Sequence, residues 1–155
     1  MKKKILILLP TLNEVHHILK LYKKILKYNS DADILFIDDG STDGSWNVIT
    51  EIRKKAKNKI FVIRRSQRRG LGKAHKDGLY WAYNKNYSYL ITMDTDFAHD
   101  PKYIPLLINK ILKNDLVIGS RHLKKKSTPN WNLFRLFLTK AAYLVSYVLF
   151  HHNFD

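Results

Sequence analysis

Two carboxylates near the middle of the chain have a spacing that suits metal binding. Asp94 and Asp96 stand two residues apart, directly after an apolar run. In extended backbone, residues two apart point to one side, so the pair could hold a single divalent cation. Such an ion commonly takes one or two protein carboxylates and leaves its other positions to water and phosphate oxygens. Taken alone, the pair is equally compatible with a metal site and with a solvated turn.

A second acidic pair, Asp38 and Asp39, follows another apolar run. Ionised carboxylates only accept hydrogen bonds, so this pair suits the N–H edge of a nucleobase or the hydroxyls of a ribose. The next residues, Gly40 and Ser41, are equally typical of a turn that leads into a capped helix without any ligand. Both interpretations stay open from these residues alone.

A short basic segment contains two glycines that could bring backbone close to an anion. Gly70 and Gly72 flank one leucine, and Lys73 follows them. A helix that begins here would direct its first N–H groups at a phosphate, although an isolated glycine pair is more often a tight turn. Among the seven histidines, His99 is the one that closely follows an acidic pair, within expected reach of a bound phosphate.

Apolar runs alternate with helical periodicity along the chain, which predicts an α/β domain with a mainly parallel sheet. Thr11 and Glu14 have the spacing of a capping box at the start of the first helix. Strands are predicted at 5–9, 34–37, 60–63, 89–93 and 116–118. Helices are predicted at about 13–28, 46–57, 70–83 and 101–113 and from about 130 onward.

Polar clusters follow four of the five predicted strands. Ligands of parallel sheets bind beyond the carboxyl ends of the strands, where the loops and helix N-termini meet. One edge of the sheet is therefore expected to collect carboxylates, hydroxyls, glycines and an arginine. The clusters are 10–14 after the first strand, 38–41 after the second, 94–96 after the fourth and 119–121 after the fifth.

The composition is that of one folded, strongly basic domain. The chain has 155 residues, of which 45% are hydrophobic, and it carries a net charge of +15 with no cysteine. The length suits a single core, and the lack of cysteine excludes disulfides and thiolate metal sites. The positive charge alone would fit a nucleic-acid-binding module. The acidic strand ends would repel nucleic-acid phosphate without a metal, so no nucleic-acid partner is expected.

Five ordered segments of the chain resemble the family 2 glycosyltransferases, and within them most closely the polyprenol (dolichol) phosphate mannose synthases. The resemblance continues through Trp131, Arg135 and Thr139, so it covers nearly the whole chain. Five segments in one order are far more specific than any one of them. The segments are PTLNE (10–14), DDGSTDGS (38–45), RRGLGKAHKDGL (68–79), MDTDFAHDP (93–101) and LVIGSRHL (116–123).

The resemblance implies a GT-A nucleotide-sugar fold and an inverting transfer of mannose from GDP-mannose to a polyprenyl phosphate. Mg²⁺ or Mn²⁺ would bind the donor diphosphate, and a glucosyltransferase that uses UDP-glucose is the alternative. The enzyme would lie peripherally at the cytoplasmic face of the membrane. A lipid monophosphate is already anionic at neutral pH, so no dedicated general base is needed.

The matching positions also imply roles for single residues. Asp94 and Asp96 would hold the metal, and catalytic roles would go to Asp96, Arg121 and Arg135. Arg121 and Arg135, with Thr139, would face the acceptor or donor phosphates. Together with the reasoning above, substrate binding is expected at Pro10, Asn13, Glu14, Asp38, Asp39, Gly70, Gly72, Lys73 and Thr139.

The predicted organisation is a nucleotide-sugar-binding core at 1–123, followed at 124–155 by a basic loop and an amphipathic helix. The helix has a broad apolar face and is too interrupted to cross a bilayer unaided. It suits a membrane interface, with the preceding lysines on anionic headgroups, as well as it suits a core helix.

The chain departs from the family pattern in two places. Ala98 stands where many relatives carry a polar residue, so one hydrogen bond around the metal is expected to be missing. Relatives also continue past Asp155 with further acceptor-side elements. The expectation is a truncated or split product that needs a separately encoded C-terminal half or that is an inactive donor-domain fragment.

Overall fold

The computed structural model describes residues 4–56, 59–120 and 133–150, except for the side chains at 133, 135, 136 and 150. The chain divides into two compact units, Met1–Lys110 and Ile111–Asp155. The first unit contains the sheet, and the second contains a long helix. The division at 123 that the sequence suggests stays a prediction.

The first unit is built on a parallel sheet. Its strands are β1 (Ile5–Thr11), β2 (Asp33–Asp38), β3 (Ile60–Arg64) and β4 (Tyr89–Thr92). Their order across the sheet is β3-β2-β1-β4. The two central strands, β1 and β2, are almost continuous apolar runs because helices cover both of their faces. All three strand pairings are parallel, which confirms the predicted α/β class.

The helices follow the strands in the predicted order. Pro101–Tyr103 forms a 3₁₀ turn, with the proline in the first-turn position that suits it. The α-helices are α1 (Val15–Tyr28), α2 (Ser45–Lys55), α3 (Leu71–Asn84), α4 (Ile104–Ile111) and α5 (Leu133–Phe150).

The side chains of β1 alternate between two apolar layers, as the period of a strand requires. Ile7 and Leu9 pack with α1 and α2, whereas Leu6 and Leu8 pack with α3. Helix α3 approaches β1 so closely that a Cβ at Gly78 would overlap the side chain of Leu8. The sheet therefore lies between α1 and α2 on one face and α3 on the other, which fixes the loops at its carboxyl edge.

The predicted fifth strand is wrong: residues 116–118 pair with no strand in the part of the chain that the structure describes. Leu116 and Ile118 are 74% and 76% exposed, so they also contribute no core. A three-residue apolar run carries no period of its own, and without a partner strand its backbone makes no ladder.

Helix α5 keeps much of its apolar surface open. Phe137, Leu144 and Val148 are each more than three-fifths exposed, at 67%, 65% and 63%. Over the described residues, no helix combines the length and the hydropathy that crossing a membrane requires. The choice between an interfacial helix and a core helix stays a prediction.

Candidate active site

A cavity of about 290 Å³ opens at the carboxyl edge of the sheet. It lies where the loop after β1, the start of α3 and the loop after β4 meet. Four of the residues predicted to bind substrate or metal thus line one space: Pro10 and Glu14 from the segment after the first strand, and Asp94 and Asp96 from the segment after the fourth. The full lining is Pro10, Leu12, Glu14, Leu71, Asp94, Thr95 and Asp96.

The acidic pair after β4 faces this cavity from both sides of a buried threonine. Thr95 is buried, and its hydroxyl donates to the Pro10 carbonyl over 3.3 Å, which joins this loop to the end of β1. Asp94 and Asp96 on either side both line the cavity. The Asp94 side chain is 39% exposed, and Asp96 is exposed. Both carboxylates are therefore accessible to a ligand.

Hydrogen bonds hold the Asp96 carboxylate and the backbone at Asp94 in place. The Ala98 amide donates to Asp96 Oδ1 over 2.8 Å, and the Asp94 amide donates to His99 Nδ1 over 3.1 Å. An Nδ1 that accepts this bond leaves the ring proton of a neutral His99 on Nε2. His99 therefore orders the backbone of Asp94, a contact that its place in the sequence did not predict.

The donor set fits a hard divalent cation. Mg²⁺ and related ions in nucleotide sites are typically held by one or two carboxylates plus water and substrate phosphates. Within the described ranges, no group of three or more His, Cys, Asp or Glu side chains could hold a metal on its own. Asp94 and Asp96 would thus supply the protein ligands, and phosphate oxygens and water would complete the shell.

Phe97, in the loop after β4, packs against α1, a contact that the sequence did not reveal. Its φ of 65° is uncommon for a bulky residue, so surrounding contacts must hold it. The ammonium groups of Lys20 and Lys24 lie 5.6 Å from its ring centroid, and the His17 ring lies perpendicular to it with the two centroids 6.0 Å apart. Lys24 also pairs with Asp100 over 2.9 Å.

The loops after β1 and β2 are joined by hydrogen bonds in both directions. The backbone amide of Asn13 donates to Ser41 Oγ, and the side-chain Oδ1 of Asn13 accepts from the backbone amide of Thr42, each over 2.9 Å. The Glu14 amide donates to Ser45 Oγ over 2.8 Å. These contacts occupy the amide oxygen of Asn13, one of the predicted binding groups.

The predicted capping box is wrong. Thr11 belongs to β1, and its hydroxyl donates to the Leu9 carbonyl rather than capping α1. Asp43 caps α1 instead, because its carboxylate accepts from the Val15 amide over 3.0 Å. Burial alone would raise the pKa of Asp43, but bonds from the Ser45 hydroxyl and the Val15 amide hold the pKa below its usual value. A cap supplied across 28 residues leaves no local spacing to detect.

Asp38 is fully buried at the end of β2. Its Oδ2 accepts from the Ser41 amide over 3.3 Å, and Arg64 Nε lies 3.9 Å from the same oxygen. Its Oδ1 has no hydrogen-bond partner among the described residues. An unsatisfied buried acceptor is costly, so this oxygen is suited to a donor group from a bound ligand.

Asp39 is also buried, but both of its oxygens are occupied. Oδ1 accepts from Arg65 Nη1 and from the Arg69 amide, each over 3.0 Å, and Oδ2 accepts from the Gly70 amide over 2.8 Å. Burial would raise the pKa of Asp39, yet the bonds from Arg69, Arg65 and Gly70 lower it below its usual range. Asp39 is therefore ionised, and its hydrogen bonds link the end of β2 to the loop before α3.

Gly70 ends that loop with a φ of 84°, a conformation that strongly favours glycine. It is the N-cap of α3, and the next residue, Leu71, lines the cavity. Gly72 and the exposed Lys73 lie in the first turn of the helix. The structure thus begins α3 at the predicted anion-binding segment.

Three predicted site residues cannot be placed relative to this cavity. Arg121 lies outside the described residues, as does the side chain of Arg135. Thr139 lies in α5, in the second unit. Their contacts with phosphate stay predictions. Conversely, sequence reasoning missed the ion pair between Arg65, whose side chain is buried, and Asp77, whose side chain is half-exposed.

The glycosyl transferase family 2 profile matches residues 6–153 of the chain. Polyprenol monophosphomannose synthase of Mycolicibacterium smegmatis is 32% identical over 138 residues, 88% of this chain and 52% of that protein. Dolichol-phosphate mannosyltransferase of Pyrococcus furiosus is 32% identical over 145 residues, 92% of this chain and 40% of that protein. The chain therefore spans about half the length of these curated relatives.

A solved structure supports the fold assignment. Glucosyl-3-phosphoglycerate synthase from Mycobacterium tuberculosis, in complex with Mn²⁺, UDP and glucosyl-3-phosphoglycerate, superposes with a TM-score of 0.50 and 26% identity. The superposition covers 72% of this chain and 40% of that one. The parallel sheet agrees with the GT-A class predicted from the motifs. With the profile match over nearly its whole length, this chain belongs to glycosyl transferase family 2.

Proposed function

We propose that this chain binds a nucleotide sugar with a divalent cation and provides the donor half of a polyprenyl-phosphate mannosyltransferase. One observation carries the proposal: Asp94 and Asp96 line the same cavity as Leu71, at the start of α3. This combination suits a sugar nucleotide, because carboxylates can hold a divalent cation on its diphosphate and a helix N-terminus attracts the negative charge of the phosphates. The names of the relatives support mannose and a lipid phosphate.

The donor would extend along the carboxyl edge of the sheet. Asp94 and Asp96 would hold Mg²⁺ or Mn²⁺, which neutralises charge on the departing diphosphate. The diphosphate would face the α3 N-terminus at Gly70, with Gly72 and Lys73 in the same turn. The nucleoside would lie toward the loops after β1 and β2, near Pro10, Asn13, Glu14, Asp38 and Asp39.

The transfer itself needs alignment more than proton movement. An oxygen of the lipid phosphate forms a bond to C1 of the mannose while the bond from C1 to the diphosphate oxygen breaks. The leaving electron pair stays on GDP, and attack from the opposite face inverts the configuration. Because the nucleophile is already anionic, positioning and charge neutralisation carry the catalysis. Arg121, Arg135 and Thr139 would contribute on the acceptor side.

Location follows from the acceptor. A polyprenyl phosphate lies in a bilayer, so the chain would act peripherally at a membrane, and on its cytoplasmic face if GDP-mannose is the donor. The basic 124–126 segment and the apolar face of α5 would contact the lipid surface. A separately encoded C-terminal half is a proposed partner.

The donor proposal is tested by calorimetric titration of the chain with GDP-mannose and Mn²⁺. The wild type is expected to bind the sugar nucleotide only with metal, and Asp94→Asn with Asp96→Asn to lose that binding. Asp115→Asn, which changes an exposed carboxylate outside the cavity, is the matched control and should bind as the wild type does. Metal-independent binding, or equal binding by all variants, would contradict the proposal.

A UDP-glucose donor is the second candidate, favoured by the Mn²⁺ and UDP in the similar M. tuberculosis enzyme. Competition between GDP-mannose and UDP-glucose at equal concentration distinguishes the two donors. Transfer of radiolabelled sugar to polyprenyl phosphate in membranes then tests the acceptor. Donor binding without transfer would identify the chain as a donor-binding fragment.

A further inference from the structure

Arg65 is a buried cation that the donor site does not directly use. It follows β3 and its side chain is 4% exposed. Nη1 donates to Asp39 Oδ1 over 3.0 Å, and Nη2 donates to Asp77 Oδ2 on α3. A buried guanidinium is costly unless both ends of its fork are paired, so these two carboxylates hold it in one orientation.

The same guanidinium reaches the loop that precedes α3. Nη1 also lies 3.4 Å from the Gly70 carbonyl oxygen, and Asp39 accepts from the amides of Arg69 and Gly70. Gly70 is thus bonded through its amide to Asp39 and through its carbonyl to Arg65. The Arg65–Asp39 ion pair therefore fixes the backbone amide and the backbone carbonyl of Gly70, the N-cap of α3.

This loop borders the cavity. Leu71 comes directly after Gly70 and lines the space shared with Asp94 and Asp96. Asp77 lies on the second turn of α3, so Arg65 ties the helix to its own N-terminal loop and to the end of β2. A change at Arg65 would therefore shift the helix N-terminus relative to the acidic pair.

We propose that Arg65 is a positioning residue for the donor: it orients Asp39 and, with it, the Arg69–Gly70 turn that faces the diphosphate. This inference rests on the proposed nucleotide-sugar function. Arg65 touches neither sugar nor metal in this role, since Nη1 is directed at Asp39 and Gly70 and Nη2 at Asp77. Its Nε is buried and has no hydrogen-bond partner among the described residues. Asp77 has the same positioning role, because its carboxylate accepts from Nη2 of the Arg65 guanidinium.

The test compares Arg65→Lys with Arg53→Lys, a matched change at an exposed position on α2. Lysine keeps the charge but lacks the planar fork. Without ligand, Arg65→Lys is expected to speed amide hydrogen exchange at Arg69 and Gly70. GDP affinity measured with Mn²⁺ should fall by about tenfold, the scale of one charged hydrogen bond. Mn²⁺ affinity measured alone should stay at the wild-type value.

Asp77 provides variants that keep the test valid if Arg65→Lys folds poorly. Asp77 is half-exposed, so its replacement disturbs the core less. Asp77→Ala should repeat the loss of GDP affinity, whereas Asp77→Asn, which retains an acceptor oxygen, should restore most of it.

Three outcomes would overturn the inference. The first is wild-type exchange and GDP affinity in both Arg65→Lys and Asp77→Ala. The second is an equal loss of Mn²⁺ and GDP binding, which would show a general structural role. The third is a wild-type protein that binds no GDP with Mn²⁺, in which case the donor function itself fails.

Discussion

The two acidic pairs of this chain have similar places in the sequence and opposite environments. Asp38 ends β2 and Asp39 follows it, and both are buried. Asp94 and Asp96 follow β4 and line an open cavity. Asp39 accepts from Arg65 and from two backbone amides, and the fully buried Asp38 accepts from the Ser41 amide, whereas the second pair has few contacts and faces solvent.

This difference separates two uses of a carboxylate. An acidic side chain that receives several donors fixes the positions of loops, and removing it leaves those donors unpaired. An acidic side chain with free acceptor capacity facing a cavity is available to a cation or a ligand. An acidic pair after an apolar strand is therefore not by itself a ligand site, because burial and several protein donors can commit a carboxylate, as they do at Asp39, to holding loops together.

The largest stability effect should come from Asp39→Ala. The substitution leaves Arg65 buried beside one carboxylate and removes the acceptor of two backbone amides. Breaking a buried ion pair in this way costs about 3–5 kcal/mol. Urea unfolding followed by circular dichroism measures it, with Asp96→Ala as the control. A loss equal to that of the control would contradict the contrast between the pairs.

A smaller loss is expected from Gly70→Ala. Gly70 has a φ of 84° and a ψ of 162°, a region that only glycine adopts readily, so alanine should cost about 1–3 kcal/mol. Gly72→Ala is the matched control, because a Cβ there meets nothing within 4 Å and alanine favours a helix. If both variants unfold at the same urea concentration, Gly70 does not fix the start of α3.

The free energy of unfolding should depend on pH through Asp39 and Asp43, two carboxylates that link neighbouring loops. The pKa values of Asp39 and Asp43 are held below the ordinary value of 3.8 by their hydrogen bonds, despite burial. Their contribution is therefore full above about pH 5 and is lost as the pH falls through the lowered folded-state values. Urea unfolding at a series of pH values should show a shallower acid loss in Asp39→Asn than in Asp96→Asn. Equal slopes would contradict this assignment.

The smallest stability effect should come from the second pair. Asp94→Asn combined with Asp96→Asn should change the free energy of unfolding by no more than about 0.5 kcal/mol, as exposed substitutions usually do. The same urea measurement tests this. A loss as large as that of Asp39→Ala would mean that the open loop holds the fold together.

The sequence predicted the alternating strands and helices because each strand is a continuous apolar run and each helix has a clear period. It placed the acidic and glycine-rich segments at one sheet edge because parallel strands share a direction. It failed at 116–118, where three apolar residues cannot specify a partner. It also failed at the start of α1, whose cap comes from Asp43 across the loop after β2.

Contacts between distant segments explain what else was missed. Arg65 meets Asp39 and Asp77 across 26 and 12 residues of sequence, and Phe97 meets Lys20 on α1. Neither residue has a distinctive spacing in the sequence. The candidate site could therefore be located from sequence, while the residues that hold its loops could not.

The close approach of Gly78 to Leu8 has a consequence for how the chain can admit a ligand. If α3 slid along the sheet, a residue with a Cβ would take the place of Gly78 and would overlap the side chain of Leu8. Widening of the cavity would therefore have to come from rearrangement of the loops at its mouth, while α3 keeps its position on β1.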